Sequence, residues 1–241
     1  MRKPALIALA ALVAALSITF AAARGSAAAP QPTLAGALAR TAHVASLHYA
    51  FHVGILRDGL RFTLHVRGQS NLRTISVHLA TAGLSAQEVL DGPFLYEQAP
   101  NGMVVNGKWR WLRIDLARLR AGSSALAVLH ALTPAPLLRL VGEGRLLGAR
   151  SVYRGGVAYD DPVVRASLTR LTGGLEFRAL RLTVWVGRDG LVHRLRLTGR
   201  TADHSSSLLL TAHLFAFNRP VHVSPPKPGT FMDEQLAQLS E

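Results

Sequence analysis

His52, His65 and His78 are the residues whose type and spacing come closest to a metal-binding pattern. A two-residue turn at Asp58-Gly59 places His52 opposite His65 on paired strands, with His78 one strand further, and facing imidazoles can bind Zn²⁺ or Cu²⁺. No carboxylate is close enough in the pattern to complete such a site, and the arginines that alternate with these histidines repel a cation. The pattern favours a solvated basic face over a metal site, and the sequence predicts no cofactor.

The acidic residues offer little for catalysis. The chain has 14 Asp and Glu in all, and Asp160-Asp161 is better explained as the cap of a helix that starts at Pro162. There is no cysteine, so the chain has neither a thiolate nucleophile nor a disulfide. The sequence also lacks G-x-S-x-G, H-E-x-x-H and a glycine-rich phosphate loop. The sequence therefore predicts a binding protein and not an enzyme.

Two β-hairpins carry the strongest local signal in the chain. The segments 47–68 and 180–199 both alternate apolar and polar residues around the same tetrapeptide, Arg-Asp-Gly-Leu, at 57–60 and 188–191. In the second hairpin, Trp185 is expected opposite Arg194 on the polar face. Each hairpin therefore has one apolar face and one basic face.

The register of the first hairpin is predicted by its turn. A turn at Asp58-Gly59 pairs Phe51 with Val66, His52 with His65, Val53 with Leu64, and Ile55 with Phe62. A second turn at Ser70-Asn71 would extend the apolar face by pairing Val66 with Ile75, Leu64 with Val77, and Phe62 with Leu79.

The N-terminus has the features of an export signal. Arg2 and Lys3 precede an apolar stretch from Ala5 to Ala23, and small residues follow up to Ala28. We interpret residues 1–28 as a signal peptide, with an uncleaved membrane anchor as the alternative. Net charge is +13, but the basic residues are spread singly through the strands, so the pattern does not indicate a nucleic-acid partner.

The remaining segments predict a few helices beside a sheet. Thr33 is expected to cap a short helix within 33–47, a middle helix starts at Ser123 or Ser124 and stops near Pro134, and a third runs from Asp161 to Gly173. The segment 145–160 is predicted to form a strand pair, and a proline-rich extended strip near the C-terminus is followed by a short polar helix. These elements predict one α+β domain in which helices pack on one face of an antiparallel sheet.

The order of several motifs resembles the LolA-like superfamily, and within it the actinobacterial LppX/LprG lipoproteins. The motifs are "GKWRWLRIDLARL", "GARSVYRGGVAYD", "LTVWVGRDGLVHRLRLT" and "FNRPVHVSPPKPGTFMD", and the resemblance covers residues 33–235. It implies a curved, incomplete antiparallel barrel around a few helices, with a cavity for acyl chains. The chain departs from those lipoproteins in lacking a lipidated cysteine after the signal segment, so we expect a protein released without an acyl group.

The export signal and the resemblance together predict a protein of the cell envelope or extracellular space that holds or carries a lipid or lipid-like hydrophobic ligand. We expect a monomer that is able to meet a membrane surface. An envelope sensor that binds a protein partner through the same fold is the alternative. The expected lipid-binding residues form the apolar sheet face: Phe51, Val53, Ile55, Phe62, Leu64, Val66, Ile75, Val77, Leu182, Val184, Leu195 and Leu197.

Overall fold

The computed structural model describes residues 33–71, 73–99, 101, 110–117, 133–149, 151–158 and 174–233, together with Pro162, Arg165, Leu168, Thr169 and Thr172. Among these residues, two helices have both ends described, and there are twelve strands. The helices are α1 (Leu34–Ala42) and α2 (Pro134–Glu143). The strands are β1 (Ser46–Arg57), β2 (Leu60–Asn71), β3 (Thr74–Thr81), β4 (Leu84–Asp91), β5 (Phe94–Gln98), β6 (Trp111–Asp115), β7 (Arg145–Ala149), β8 (Val152–Val157), β9 (Ala179–Val186), β10 (Val192–Arg200), β11 (Ser206–Phe215) and β12 (Phe231–Asp233).

All twelve strands belong to one sheet, in the order β12-β6-β5-β4-β3-β2-β1-β11-β10-β9-β8-β7. Every neighbouring pair is antiparallel except β12 and β6. The sheet is curved but not closed, because its edge strands, β12 and β7, do not pair with each other. This α+β architecture, a curved open antiparallel sheet with helices on one face, confirms the predicted fold class.

The predicted register of the first hairpin is confirmed. Phe51 pairs with Val66, and His52 pairs with His65, as expected. Asp58 and Gly59 both have positive φ, at 50° and 79°, which is the geometry of a type I′ turn. The Asp-Gly turn thus places Phe51, Val53 and Ile55 of β1 on the same face as their apolar partners in β2.

The second turn was predicted two residues too early, which displaces the predicted pairing of β2 with β3 by four residues. β2 continues through Asn71, so that Val66 pairs with Leu79 and Gly68 pairs with Val77. The Asn71 side chain causes the later turn, because its Oδ1 accepts hydrogen bonds from the backbone N–H groups of Arg73 and Thr74, both at 2.8 Å. The displacement is even, so the predicted apolar residues of β3 remain on the predicted face.

The second hairpin joins β9 and β10 through a five-residue loop, Gly187–Leu191, with an irregularity at His193. Trp185 lies opposite Arg194, and the Arg194 guanidinium carbon is 4.9 Å from the centre of the Trp185 ring, as predicted. The strand pair predicted between 145 and 160 is also present, as β7 and β8.

The helices cover the apolar face of the sheet. Thr33 caps α1 as predicted, its hydroxyl accepting a hydrogen bond from the Gly36 N–H at 3.1 Å. α1 ends at Ala42, before the predicted limit, because β1 begins at Ser46. The Thr41 hydroxyl joins α1 to β10 by accepting a hydrogen bond from the Val192 N–H at 2.9 Å.

A helix that was not predicted, α2, begins at Pro134, near which the middle helix was expected to stop. Thr133 is its N-cap, and proline suits the first turn of a helix, where its missing N–H has no partner to lose. The predicted middle helix before it lies in 118–132, outside the described residues. Of the third predicted helix, Pro162, Arg165, Leu168, Thr169 and Thr172 are helical, and its predicted caps, Asp161 and Gly173, are not among the described residues.

The C-terminal strip is extended, as expected, and ends in β12. Arg113 of β6 binds Asp233 of β12 with two hydrogen bonds, at 2.6 and 3.0 Å. The Arg113 guanidinium also lies over the rings of Phe94 and Phe231, at 4.9 and 4.7 Å from their centres. These contacts attach the strip to the sheet edge. The polar helix predicted after it falls beyond residue 233, outside the described residues.

A single buried cluster joins the sheet to the helices. Its members include Phe51 and Val53 of β1, Leu195 and Leu197 of β10, and Leu140 of α2. Tyr49 belongs to the same cluster, and its ring lies on Gly68, where an added Cβ would be 2.1 Å from Tyr49 Cζ. Glycine is therefore needed at position 68 because the Tyr49 ring packs directly against its backbone, and not because the backbone adopts an unusual conformation there.

We expect Gly68→Ala to lower the free energy of unfolding by about 1–3 kcal/mol, because the new methyl group displaces the buried Tyr49 ring. Gly54→Ala is the matched control. Gly54 lies in the neighbouring strand, and the closest atom to its added Cβ is Leu209 O at 3.8 Å, an ordinary contact. Urea denaturation of both variants checks this, and equal effects from the two substitutions would contradict it.

Candidate functional site

An apolar cleft of about 690 Å³ lies between the two helices and the sheet. α1 contributes Leu38 and Ala42, and α2 contributes Leu138. The first residues of β1 and β3 supply Leu47 and Ile75. The volume falls within the range of about 300–1,000 Å³ typical of small-molecule sites. The cleft is therefore large enough for an aliphatic ligand.

Polar groups on the cleft wall already have hydrogen-bond partners within the protein. The Thr41 hydroxyl donates to Ala37 O at 2.7 Å and accepts from the Val192 N–H. The Ser46 hydroxyl donates to Arg219 O, and the Asn71 carbonyl oxygen serves the turn before β3. These side chains stabilise the ends of the strands, so a ligand in the cleft meets chiefly carbon.

The predicted lipid-binding residues share one face, and most of them are packed in the core. The residues that are at most 4 % exposed are Phe51, Val53, Val66, Val77, Leu182, Val184, Leu195 and Leu197. Their side chains contact other parts of the protein, including the helices, in one cluster. Their role in binding lipid stays a prediction.

The other four predicted residues lie on the less covered part of the same face. Ile55, Leu64 and Ile75 are half-buried, and Phe62 is 55 % exposed. Of all the predicted residues, Ile75 alone lines the cleft. The cleft walls from α1 and α2 were not predicted, because helix faces that contribute to a cavity have the same apolar spacing as those that contact a core.

A row of five residues that includes three polar side chains crosses the concave face beside the cleft; it is called the polar row below, and it was not predicted from the sequence. Antiparallel pairing aligns Tyr49 of β1, Gly68 of β2, Val77 of β3, Glu88 of β4 and Glu97 of β5. The alternation of Leu84, Ala86, Glu88 and Leu90 was the available signal, because it places a glutamate in phase with apolar residues.

Burial changes the acid–base properties of this row. Desolvation, followed by the nearby charge of Glu97, raises the pKa of Glu88 to about 7. Burial, with the charge of Glu88 as a second cause, raises the pKa of the Tyr49 hydroxyl. The Tyr49 hydroxyl and Glu88 Oε2 are buried, and neither has a hydrogen-bond partner among the described residues. Both oxygens are therefore buried polar atoms whose hydrogen-bonding capacity the described side chains do not satisfy.

The histidines are placed on the opposite face of the sheet. His52 Nδ1 and His65 Nδ1 are 3.3 Å apart, so the predicted pair is present, but His78 pairs with Arg67 and not with either of them. In the part of the chain that the structure describes, no three His, Asp or Glu side chains gather as metal ligands.

The convex face of the sheet is strongly basic. Across β8, β9, β10, β11, β1, β2 and β3, the outward-facing strand positions include no acidic residue. Burial and the adjacent Arg194 lower the pKa of His213 on this face. The exposed arginines on it are Arg61, Arg67, Arg154, Arg181, Arg194, Arg196 and Arg200. Basic residues therefore lie on the face opposite the cleft.

Comparison with known proteins finds similarity only among solved structures. No family model and no curated protein matches the sequence. A putative outer membrane lipoprotein-sorting protein domain from Vibrio parahaemolyticus aligns with a TM-score of 0.28 and 8% identity, over 78% of this chain and 92% of that chain. A DUF1329 family protein from Desulfovibrio piger aligns with a TM-score of 0.27 and 11% identity, over 79% and 92% of the two chains.

The helices that the structure describes are all too short or too polar to cross a bilayer. The predicted signal segment, residues 1–28, lies outside the described residues.

We expect Glu88 to make stability fall as pH rises. Its pKa is about 7 in the folded protein and near 4.5 when unperturbed, so the unfolded chain loses this proton first and gains relative stability between those values. Glu88→Gln removes this effect. Above pH 7 the variant should be more stable than the parent by roughly 2 kcal/mol, a value reduced because the carboxyl group is partly exposed.

Urea denaturation at about pH 4 and about pH 8 tests this, since the stability difference between variant and parent should appear only at the higher pH. Glu176→Gln, at an exposed carboxylate, is the control and should leave stability unchanged at both. A Glu88→Gln variant that gains no stability over the parent as pH rises would show that Glu88 titrates normally.

Proposed function

We propose that this chain is an exported carrier of a lipid or another long-chain amphiphile, of the LolA-like kind and nearest to the LppX/LprG type. The observation that carries the proposal is the apolar cleft of about 690 Å³ between α1, α2 and the open sheet. An acyl chain gains about 0.8 kcal/mol for each buried CH₂ group, so such a cleft can hold a tail without specific polar contacts.

The composition of the cleft wall favours binding over catalysis. Its hydroxyl groups at Thr41 and Ser46 take part in hydrogen bonds that attach α1 and β1 to neighbouring segments. The charged residue on the wall is Arg139, whose side chain is exposed at the rim. A wall of this kind supplies apolar surface for a ligand and no activated nucleophile, which supports a binding protein and not an enzyme.

The basic convex face supports docking on an anionic membrane surface. Each Lys or Arg near such a surface contributes about 1 kcal/mol at low salt, so seven arginines on one face can hold the protein there. Docking through the convex face leaves the cleft on the opposite side of the sheet free. We propose a monomer in the cell envelope that approaches membranes through this face.

We expect Leu138→Arg to abolish binding of a fluorescent fatty acid. Leu138 is a half-buried wall residue of the cleft, and arginine there both fills the space and places a charge among carbon atoms. The affinity loss should exceed about ten-fold, measured by titration of the probe into purified protein, with circular dichroism as the check on folding.

Leu147→Arg is the matched control, because Leu147 is 85 % exposed and lies on β7, away from the cleft. It should bind the probe like the parent. If a folded Leu138→Arg protein binds the probe normally, or if the parent binds no probe and copurifies with a stoichiometric protein partner, the carrier proposal fails and the envelope sensor takes its place.

Membrane docking is tested with phosphatidylcholine vesicles that contain or lack phosphatidylglycerol. The parent should sediment with the vesicles that contain phosphatidylglycerol and not with those that lack it. Salt above about 0.5 M should release the protein by screening the charges. Arg196→Glu should weaken sedimentation at least several-fold. Arg73→Glu, a charge reversal in the turn before β3, is the control. Equal losses from both variants would point to net charge and contradict docking by this face.

A further inference from the structure

We propose that the Tyr49 hydroxyl and the Glu88 carboxylate form a subsite, at the inner end of the apolar cleft, for the ammonium headgroup of a single-chain amphiphile. The proposal deepens the carrier function and rests on it, since it names the class of ligand that the cleft would take. It starts from the polar row that crosses the concave face of the sheet.

Tyr49 and Glu88 approach the same place from different strands. The Tyr49 ring lies across Gly68, so its hydroxyl is displaced from β1 toward β2 and the strands beyond it. Glu88 comes from β4, and Val77, which is fully buried, separates it from Gly68 in the same row. Tyr49 and Glu88 are therefore the polar side chains on either side of Gly68 and Val77 in this row, and the Tyr49 ring covers Gly68 in the unliganded protein.

Both groups are buried without partners. Tyr49 is 1 % exposed, and its hydroxyl makes no hydrogen bond to any described residue. The same holds for Oε2 of Glu88, although the glutamate itself remains partly exposed. Phenylalanine at position 49 would occupy the same space without a buried, unsatisfied oxygen. The buried hydroxyl thus lowers the stability of the unliganded protein, and a ligand group that forms a hydrogen bond with it would offset this loss.

The charges of the row select the headgroup. Glu88 lies opposite Glu97 on the neighbouring strand, a placement in which two negative charges repel. An anionic headgroup would increase that repulsion, and a neutral hydroxyl would leave it unchanged. An ammonium group offsets it, and its three N–H donors match the phenol and carboxylate oxygens. We assign the cation to the ligand, and no cluster of three metal-ligating side chains occurs among the described residues.

The cleft leads to this subsite. Leu47, Ser70 and Ile75 line the cleft and form the adjacent row of the sheet, paired to one another across β1, β2 and β3. The polar row is two residues further along each strand, a distance of about 7 Å. An alkyl chain in the cleft therefore ends about 7 Å from the polar row, and binding of the headgroup requires the Tyr49 side chain to move aside, since its hydroxyl is buried in the unliganded protein.

The test compares three ligands with the same chain and different headgroups: dodecylamine, dodecanol and dodecanoate. Binding is measured by calorimetry below their micelle concentrations. We expect the amine to bind at least about ten-fold more tightly than the other two, because of its charge-assisted hydrogen bonds. The net charge of +13 opposes a cation, so nonspecific attraction cannot produce this order.

Two variants connect the preference to the subsite. Glu88→Gln should remove it, whereas Glu176→Gln, at an exposed carboxylate, should not. Tyr49→Phe should lower the amine affinity several-fold without lowering the free energy of unfolding, since the hydroxyl forms no hydrogen bond to any residue that the structure describes. A Tyr49→Phe variant that loses stability and keeps its affinity would assign the hydroxyl to the fold and overturn the proposal.

The pH dependence gives a further readout. The titratable groups that face Glu88 across the described sheet are Tyr49 and Glu97, and its pKa is about 7. Amine affinity should rise by up to about ten-fold from about pH 6 to about pH 8 as Glu88 ionises, and Glu88→Gln should flatten this rise. Equal affinities for the three ligands would overturn the subsite and leave the carrier function intact. Failure of all three to bind would overturn both.

Discussion

The antiparallel ladder between β1 and β11 is the interaction on which the rest of the structure depends. β1 begins the consecutive strands β1 to β6, and β11 ends the consecutive strands β7 to β11. The ladder runs from the pair His48–Phe215 to the pair Arg57–Ser206 and makes the two groups one sheet. It also brings Phe51 and Val53 beside Ala212 and Leu210, so that the apolar faces of the two groups become one face.

The cleft follows from how unevenly the helices cover that face. α1 contacts β10, and α2 contacts β8, so the described helices attach chiefly to the β7–β11 side of the ladder. On that side the inward residues of β9 and β10 are almost fully buried. On the β2 and β3 side, Leu64 and Ile75 remain partly exposed, and the beginnings of β1 and β3 form a wall of the cleft with the helices. An open sheet with edges that do not meet allows this asymmetry, because no closure forces the two sides together.

Turns and pairings between strands adjacent in sequence could largely be predicted, whereas pairings between strands distant in sequence could not. The Asp58-Gly59 turn and the alternation around it were sufficient for the register of β1 and β2, since a two-residue turn leaves one pairing. The turn after β2 was misplaced because Ser70-Asn71 looks like a turn by composition, whereas the Asn71 side chain instead caps the residues that follow it. The β1–β11 ladder has no local signature, because any two strands with one apolar face satisfy the same pattern.

The site was harder to predict than the fold for the same reason. Burial in an apolar strand face was visible in the alternation, but which part of that face is packed depends on where α1 and α2 lie. The role of Gly68 depends on Tyr49, a residue on another strand. Glu88 was the informative residue, since a carboxylate at an apolar position conflicts with the pattern around it, and such local conflicts concentrate at functional sites.

Glu88 and the arginines of the basic face lie on opposite sides of the sheet. The arginines listed above lie on the convex face and Glu88 on the concave face, where desolvation and the charge of Glu97 raise its pKa to about 7. Glu88 is thus poised between its neutral and charged forms near neutral pH. The cleft lies between the helices and the strand beginnings, so the proposed ammonium group would approach Glu88 from the side of the sheet opposite the basic face. The sheet thereby separates two electrostatic environments: the arginines of the convex face on one side, and the paired glutamates Glu88 and Glu97 on the other.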